Sequence, residues 1–252
     1  MEEKKDGTGC PLGEVFMEHR FSRTEALLGE AALSRLASAH VAVFGLGGVG
    51  GYAVEALARC GVGTLTVVDG DTVSVTNINR QLLALTETVG QKKTDVATRR
   101  ILSINPDCQV HSFSLFFSEE TAASFDLDSF DYVVDAIDDV PAKLLLIRLC
   151  HERGIRILSA MGAGNKLDPT AFEVADISKT SVCPLARKMR TELRRMGILH
   201  TKVVYSKEPP RTVALREDGR RIPASCAFAP AAAGLLMAAE AVRTLTENTE
   251  GV

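Results

Sequence analysis

Along the first two thirds of the chain, apolar runs of strand length alternate with segments whose apolar residues recur at helical spacing. His40 to Phe44, Thr64 to Val68, Gln109 to Phe113, Tyr132 to Ala136 and Arg156 to Ala160 predict strands. Val49 to Arg59, Lys92 to Ser103 and Ala142 to Arg153 predict the helices between them. Parallel strands need long crossovers, usually helical, so this alternation predicts an α/β, Rossmann-like, mostly parallel sheet with helices on both faces.

After about Gly162 the pattern changes. Phe172 to Asp176 and Lys202 to Tyr205 predict short strands around a strongly basic helix, Leu185 to Met196, and Thr212 to Pro223 reads as loop or edge strand. A final apolar helix is predicted from Pro230 to Leu245, with proline in its permitted first turn. No flexible linker separates the two parts, which predicts one domain over 16–252 with 162–252 as a C-terminal elaboration. The polar residues 1–15 lack the apolar core of a secretion signal and read as a disordered tail.

Composition narrows the class. With 252 residues and 46% hydrophobic content the chain suffices for one core but is short for a two-domain dehydrogenase. The net charge of −3 gives no global sign of a nucleic-acid or membrane-surface protein, so any basic face is local. The apolar stretch Ala227 to Ala239 contains Pro230 and falls short of the roughly 20 residues that span a bilayer. It reads as a buried or dimer-facing helix, and the protein as not integral to a membrane. The six cysteines form no C-x-x-C pair, which argues against structural zinc and fits reduced thiols in a cytoplasmic protein.

The first predicted strand and helix meet in GLGGVG, with G-x-G-x-x-G spacing at Gly45, Gly47 and Gly50 and a further glycine at Gly48. Glycines let backbone N–H groups reach phosphate oxygens at a helix N-terminus, so the motif selects a phosphate and not a nicotinamide. Asp69 ends the second strand, placed to accept ribose hydroxyls. Alone, the spacing also fits a tight turn needed only for packing. The next segment, DTVSVTNINRQ, decides more: Arg80 offers a fork for phosphate oxygens, and the amides of Asn77, Asn79 and Gln81 donate to phosphate or fix the loop. Lys93 opens a helix, where its ammonium would neutralise pyrophosphate charge, and Asp138 in DAIDD follows a strand, where a carboxylate holds Mg²⁺. Each has a plainer reading: Asn79 and Arg80 as surface loop, Lys93 as a solvated lysine, Asp138 as the cap of a helix near Pro141. Their joint order on the correct strand ends predicts a nucleotide site.

Taken together, GLGGVG, DGDTVSVTNINRQ, VGQKK and DAIDD resemble the adenylating domain shared by ubiquitin-activating enzymes and the bacterial adenylyltransferases of thiamine and molybdopterin biosynthesis. The likeness runs from about Arg20 to Met161. It implies that Gly45 to Gly50 hold phosphate and adenosine and Asp69 the ribose, that Asp71, Asn77, Arg80 and Lys93 contact the triphosphate, and that Asp138 binds Mg²⁺. RFSR, Arg20 to Arg23, resembles a segment whose arginine reaches the ATP of a partner subunit, implying a homodimer with Arg23 acting in trans.

Those bacterial adenylyltransferases carry zinc-binding C-x-x-C pairs that are missing here. Instead AMGAGNKLDPTAFEVADISKTSVCPLARKMRTELRR, Ala160 to Arg195, closely resembles the tRNA threonylcarbamoyladenosine dehydratases. This resemblance implies ATP-dependent activation of the threonyl carboxylate of threonylcarbamoyladenosine beside the anticodon, followed by ring closure with loss of water. Implied cofactors are ATP, Mg²⁺ and a monovalent cation, Na⁺ or K⁺. Implied partners are the modified tRNA, a second copy of the chain and a cysteine desulfurase or sulfur-acceptor system. Activation of a small sulfur-carrier protein and NAD binding are the competing readings.

Cys226 in ASCAF sits where the family carries a cysteine, and it fits both an acyl-enzyme step and a small buried hydrophobe. Cys183 departs from the aspartate expected before Pro-Leu-Ala and reads as incidental. Arg187, Lys188, Arg190, Arg194 and Arg195, with Lys202 and Lys207, concentrate positive charge on and after one helix. Without the resemblance that run is a solvated helix face; with it, the run reads as tRNA contact.

Overall fold

Apolar residues, valine above all, crowd the runs 40–44, 64–68, 132–135 and 157–160 because these are covered on both sides, whereas 109–113 is a largely exposed edge. The computed structural model describes residues 19–214, 216, 217 and 220–247; the tail expected over 1–15 lies outside them. Two helices, α1 (Ser22–Leu28) and α2 (Glu30–Ser38), come first. Then follow β1 (His40–Phe44), α3 (Gly50–Arg59), β2 (Thr64–Val68), α4 (Lys93–Ile104) and β3 (Gln109–Phe113). Next are β4 (Tyr132–Asp135), α5 (Val140–Arg153), β5 (Ile157–Ala160), β6 (Phe172–Asp176), α6 (Pro184–Arg195) and β7 (Lys202–Ser206). The two-residue strands β8 (Arg216–Glu217) and β9 (Arg220–Arg221) pair only with each other, and α7 (Phe228–Thr246) closes the described chain.

The main sheet has the order β3-β2-β1-β4-β5-β7-β6, parallel throughout except for β6, which runs antiparallel to β7. Connections from β1 lead outward to β2 and β3, whereas those from β4 lead to β5 and beyond, so the order reverses between β1 and β4. Phe44 lies in register with Val68 on one side and Asp135 on the other, which aligns the carboxyl ends of the central strands along one crevice. Ligands bind at such a switch point.

Period-two alternation assigns the core. Val41 and Val43 point into the layer formed with α3, α4 and α7, while Ala42 and Phe44 point into the layer formed with α5 and α6. Phe44 there meets Phe117 edge-on at 5.1 Å between ring centroids. α5 starts where Asp139 accepts the Ala142 N–H at 3.0 Å, with Pro141 in the first turn, and stops at Gly154 in the left-handed conformation.

Predicted and observed elements differ in three places. α1 and α2 are not marked out by the apolar pattern; they are short and join at Gly29. The described residues of 212–223, expected as loop or edge strand, are loop except for the separate β8–β9 pair. Pro230 lies in the first turn of α7, as expected, where an N–H would have no intrahelical partner, but the helix begins two residues earlier, at Phe228, and runs on to Thr246. α7 is therefore 19 residues, long and apolar enough by length and composition to cross a membrane. In this fold its Ala229, Ala233, Met237, Ala238 and Ala241 are buried, and the helix packs along α3 and the sheet.

Candidate active site

β1 must turn into α3 with no room for a side chain. Gly45 has φ +90°, and a Cβ there would lie 2.6 Å from the Ala136 carbonyl oxygen; a Cβ on Gly50 would lie 1.8 Å from that of Gly45. Both glycines are therefore required by the turn itself, whose backbone, with Gly47 and Gly48, forms the floor of a cleft of about 600 Å³. The same cleft is lined by Asp69, Asp71, Asn77, Arg80, Gln81, Lys93 and Asp138, so the structure gathers nearly every residue predicted for the nucleotide. Phe116, Phe117, Ala163, Gly164, Pro223 and Ser225 complete its walls; no motif in the sequence singles them out.

Asp69 ties the floor to β2. Its carboxylate accepts the Leu46 N–H at 2.6 Å and the Asp71 N–H at 2.8 Å, which fixes the glycine turn against the strand end expected to hold ribose. Lys93 is 4% exposed, and its Nζ stands 2.7 Å from Asp71 and 3.6 Å from Asp69. The Asp71 carboxylate, on the cleft wall, thereby holds the Lys93 ammonium in the cleft.

Arg80 Nη1 donates to the Thr76 carbonyl at 2.8 Å and to Asn79 Oδ1 at 3.1 Å. Asn77 caps its own turn, accepting the Ser74 N–H at 3.0 Å. Asn79 takes the loop-fixing alternative: its Nδ2 donates to the Ser225 carbonyl at 2.8 Å. Gln81 is 7% exposed, yet its Oε1 has no partner among the described residues.

The cap of α5 is Asp139, not Asp138. Asp138 is exposed on the cleft wall and makes no hydrogen bond or ion pair with another described residue. Beneath it Asp135 and Lys143, both fully buried, pair at 2.9 Å. Asp135 accepts the Ile137 N–H at 3.1 Å and Lys143 donates to the Ile137 carbonyl at 3.1 Å, so the peptide leading into Asp138 is held from both sides.

Other predicted residues lie apart from the cleft. Arg23 is exposed on α1, whose neighbour Phe21 packs on Gly61 at the amino-terminal edge of the sheet, the end opposite the cleft. Cys226 is half-buried with its Sγ 3.9 Å from the Lys166 carbonyl. Lys166 is itself buried; burial lowers its pKa, against the raising influence of Cys183 and Glu208. Of the basic set, Arg187, Lys188 and Arg194 are exposed on α6, and Arg195 is exposed but pairs with Glu192 at 2.8 Å. Arg190 is only partly exposed and donates to Thr180 Oγ1 at 2.6 Å and to its carbonyl at 2.9 Å, so it anchors the loop before α6. Lys202 faces the buried Glu240 at 2.6 Å, and Lys207 pairs with Glu173 at 2.5 Å.

A switch-point cleft with cations gathered beyond a glycine turn is that of an α/β nucleotide-binding protein. The chain belongs to the ThiF family, whose model matches residues 21–251. It is similar to the tRNA threonylcarbamoyladenosine dehydratase of Bacillus subtilis, with 45% identity over 249 residues, 93% of this chain and 97% of that protein. Among solved structures it is similar to the E. coli tRNA N6-threonylcarbamoyladenosine dehydratase TcdA in complex with AMP. That likeness has TM-score 0.83 and 38% identity, covering 90% of this chain and 93% of that one. The E. coli enzyme in complex with ATP superposes with TM-score 0.81 at 38% identity over the same shares.

Proposed function

We propose that the protein is an ATP-dependent enzyme that dehydrates threonylcarbamoyladenosine in tRNA to its cyclic form. The observation that carries the proposal is the convergence of Arg80, Lys93 and Asp138, from three separate elements, on one cleft floored by Gly45–Gly50. Cations so placed stabilise charge on phosphates as a phosphoanhydride breaks, and the likeness to the dehydratases names the acyl group activated. Adenylation of the threonyl carboxylate turns a poor leaving oxygen into AMP. The neighbouring carbamoyl group then closes the ring, which needs positioning and no protein nucleophile.

The donor set fits Mg²⁺. Asp138 offers one carboxylate free of partners among the described residues, and this ion is commonly held by one or two carboxylates together with phosphates and water. When bound, it would neutralise phosphate charge. No group of three or more His, Cys, Asp or Glu side chains suited to a metal occurs among the described residues, and the proposal uses neither a monovalent cation nor a sulfur-transfer partner.

Two further parts belong to the same proposal. Arg23, set at the far end of the sheet from its own cleft, serves the cleft of a second copy in a homodimer. Arg187, Lys188 and Arg194 contact tRNA phosphates; α6 begins beside Gly162, adjoining the cleft wall at Ala163 and Gly164, so its basic face leads outward from the site. The enzyme is cytoplasmic, in keeping with five free thiols among the described cysteines.

The test is direct. Purified protein with ATP, Mg²⁺ and tRNA carrying threonylcarbamoyladenosine is expected to release AMP and pyrophosphate, and nucleoside mass spectrometry to show the loss of one water. Unchanged nucleosides from protein that binds ATP would overturn the proposal.

A further inference from the structure

Residues 223–226 cross one wall of the cleft, held by two asparagines and by the Cys226 thiol resting on the Lys166 carbonyl. From the phosphate side, Asn79 Nδ2 donates to the Ser225 carbonyl at 2.8 Å while its Oδ1 accepts from Arg80 at 3.1 Å. From the other side, Asn165 N–H donates to the Ala224 carbonyl at 2.7 Å and Asn165 Oδ1 accepts the Ala224 N–H at 2.8 Å. Asn165 holds φ +61°, a conformation that asparagine tolerates better than most residues, and its own carbonyl accepts the Arg211 N–H at 2.9 Å. The strap is thus seated by one hydrogen bond from the Asn79 side chain, two to Asn165 through its backbone N–H and its side chain, and the weak contact of the Cys226 thiol.

The strap's position in the cleft gives it a task. Asp69 lies at the end of β2 and the glycine turn at the end of β1, so a nucleotide laid across them leaves the β5 side of the cleft open. That side is walled by Ala163, Gly164, Pro223 and Ser225. If the reading under Proposed function holds, the carboxylate to be adenylated enters there, against the strap.

We propose that Asn79 is a positioning residue that couples the two halves of the site. One end of its amide steadies the arginine expected on the phosphates; the other steadies the strap against which the acyl group of the tRNA rests. Pulling Arg80 onto a triphosphate draws on the same side chain that holds Ser225, so occupancy of the phosphate side sets the seating of the acceptor side. By linkage, strap seating affects nucleotide binding to the same degree.

Cys226 reports on the strap, because its Sγ rests on the Lys166 carbonyl when residues 223–226 are seated. The full-length protein is treated with iodoacetamide, and the rate of Cys226 alkylation is followed by peptide mass spectrometry, with and without ATP and Mg²⁺. ATP is expected to change that rate in the unmodified protein. In Asn79→Ala the rate without ATP should rise several-fold and its response to ATP should vanish. ATP affinity should shift only by the factor by which ATP changes the alkylation rate in the unmodified protein, and the kcat for the tRNA reaction should fall by about ten- to a hundredfold, as expected of a misplaced wall. Asn165→Gly, which keeps the positive φ accessible but removes the side-chain acceptor, should raise the alkylation rate without abolishing the ATP response.

Alkylation of Asn79→Ala that still responds to ATP as the unmodified protein does would overturn the coupling. So would a loss of ATP affinity in parallel with kcat, which would make Asn79 a phosphate ligand only. Should the unmodified protein bind ATP and leave the tRNA nucleosides unchanged, the proposed reaction fails, while the alkylation measurements still decide the coupling.

Discussion

Lys143 and Asp135 form an ion pair of 2.9 Å with both side chains fully buried, directly beneath the loop that presents Asp138 to the cleft. Ser159 Oγ adds a donor to the same carboxylate at 2.5 Å. Removing one partner of a buried pair strands the other charge, so Lys143→Met is expected to destabilise the fold by about 3–5 kcal/mol in denaturant titration. Replacing both, with Asp135→Leu and Lys143→Met, is expected to recover much of that stability. Turnover of the double variant is expected to stay depressed, because nothing then clamps the Ile137 peptide.

Asp138 makes the opposite case. It is exposed and unpartnered among the described residues, so Asp138→Asn is expected to leave the melting temperature unchanged. Mg²⁺-dependent ATP turnover is expected to fall on the order of a hundredfold or more, the usual cost of removing one element of transition-state charge stabilisation. Turnover at the unmodified rate would remove Asp138 from the metal role.

For the glycine turn, steric contact and conformation act together. Gly45→Ala places a methyl group 2.6 Å from the Ala136 carbonyl oxygen at φ +90°. Backbone strain of this kind costs on the order of 1–3 kcal/mol before the clash is counted. A thermal-shift titration is expected to show a lower melting temperature and little stabilisation by ATP.

The basic helix separates two kinds of arginine. Arg187→Ala and Arg194→Ala are expected to weaken tRNA binding and to flatten its dependence on log salt by about 0.7–0.9 for each phosphate no longer neutralised. Arg190→Ala is expected to destabilise the protein, since its guanidinium holds the Thr180 loop, with the salt dependence of binding unaltered. Filter binding over a salt series, with chemical denaturation beside it, checks both.

Cys226→Ala is expected to keep most of the tRNA-dependent turnover, because the thiol rests on the Lys166 carbonyl and Ser225, not Cys226, lines the cleft. Abolished turnover with ATP binding intact would instead establish an acyl-enzyme step.

Much of the centre of this fold was legible in the sequence. The β1–α3–β2 unit follows from apolar periodicity and from glycine spacing, because a doubly covered parallel strand must be apolar on both faces and a phosphate-binding turn excludes side chains. Gly45, Gly50, Asp69 and Lys93 were readable for that reason: each answers a demand made within one element or at its end. Residues whose meaning depends on a distant partner were not. Asn79 reaches a carbonyl 146 residues away, and Lys202 meets Glu240, 38 residues on and on another element. Only the tertiary structure could decide that Asp139 caps α5 and frees Asp138, that Asp71 holds Lys93, and that Arg190 is an anchor while Arg187 and Arg194 face solvent. The sequence by itself determined the elements and the chemistry available at their ends. The packing decided which polar groups are already satisfied by the protein and which are left for a ligand, since hydrogen bonds and ion pairs are settled by proximity in space and not by order along the chain.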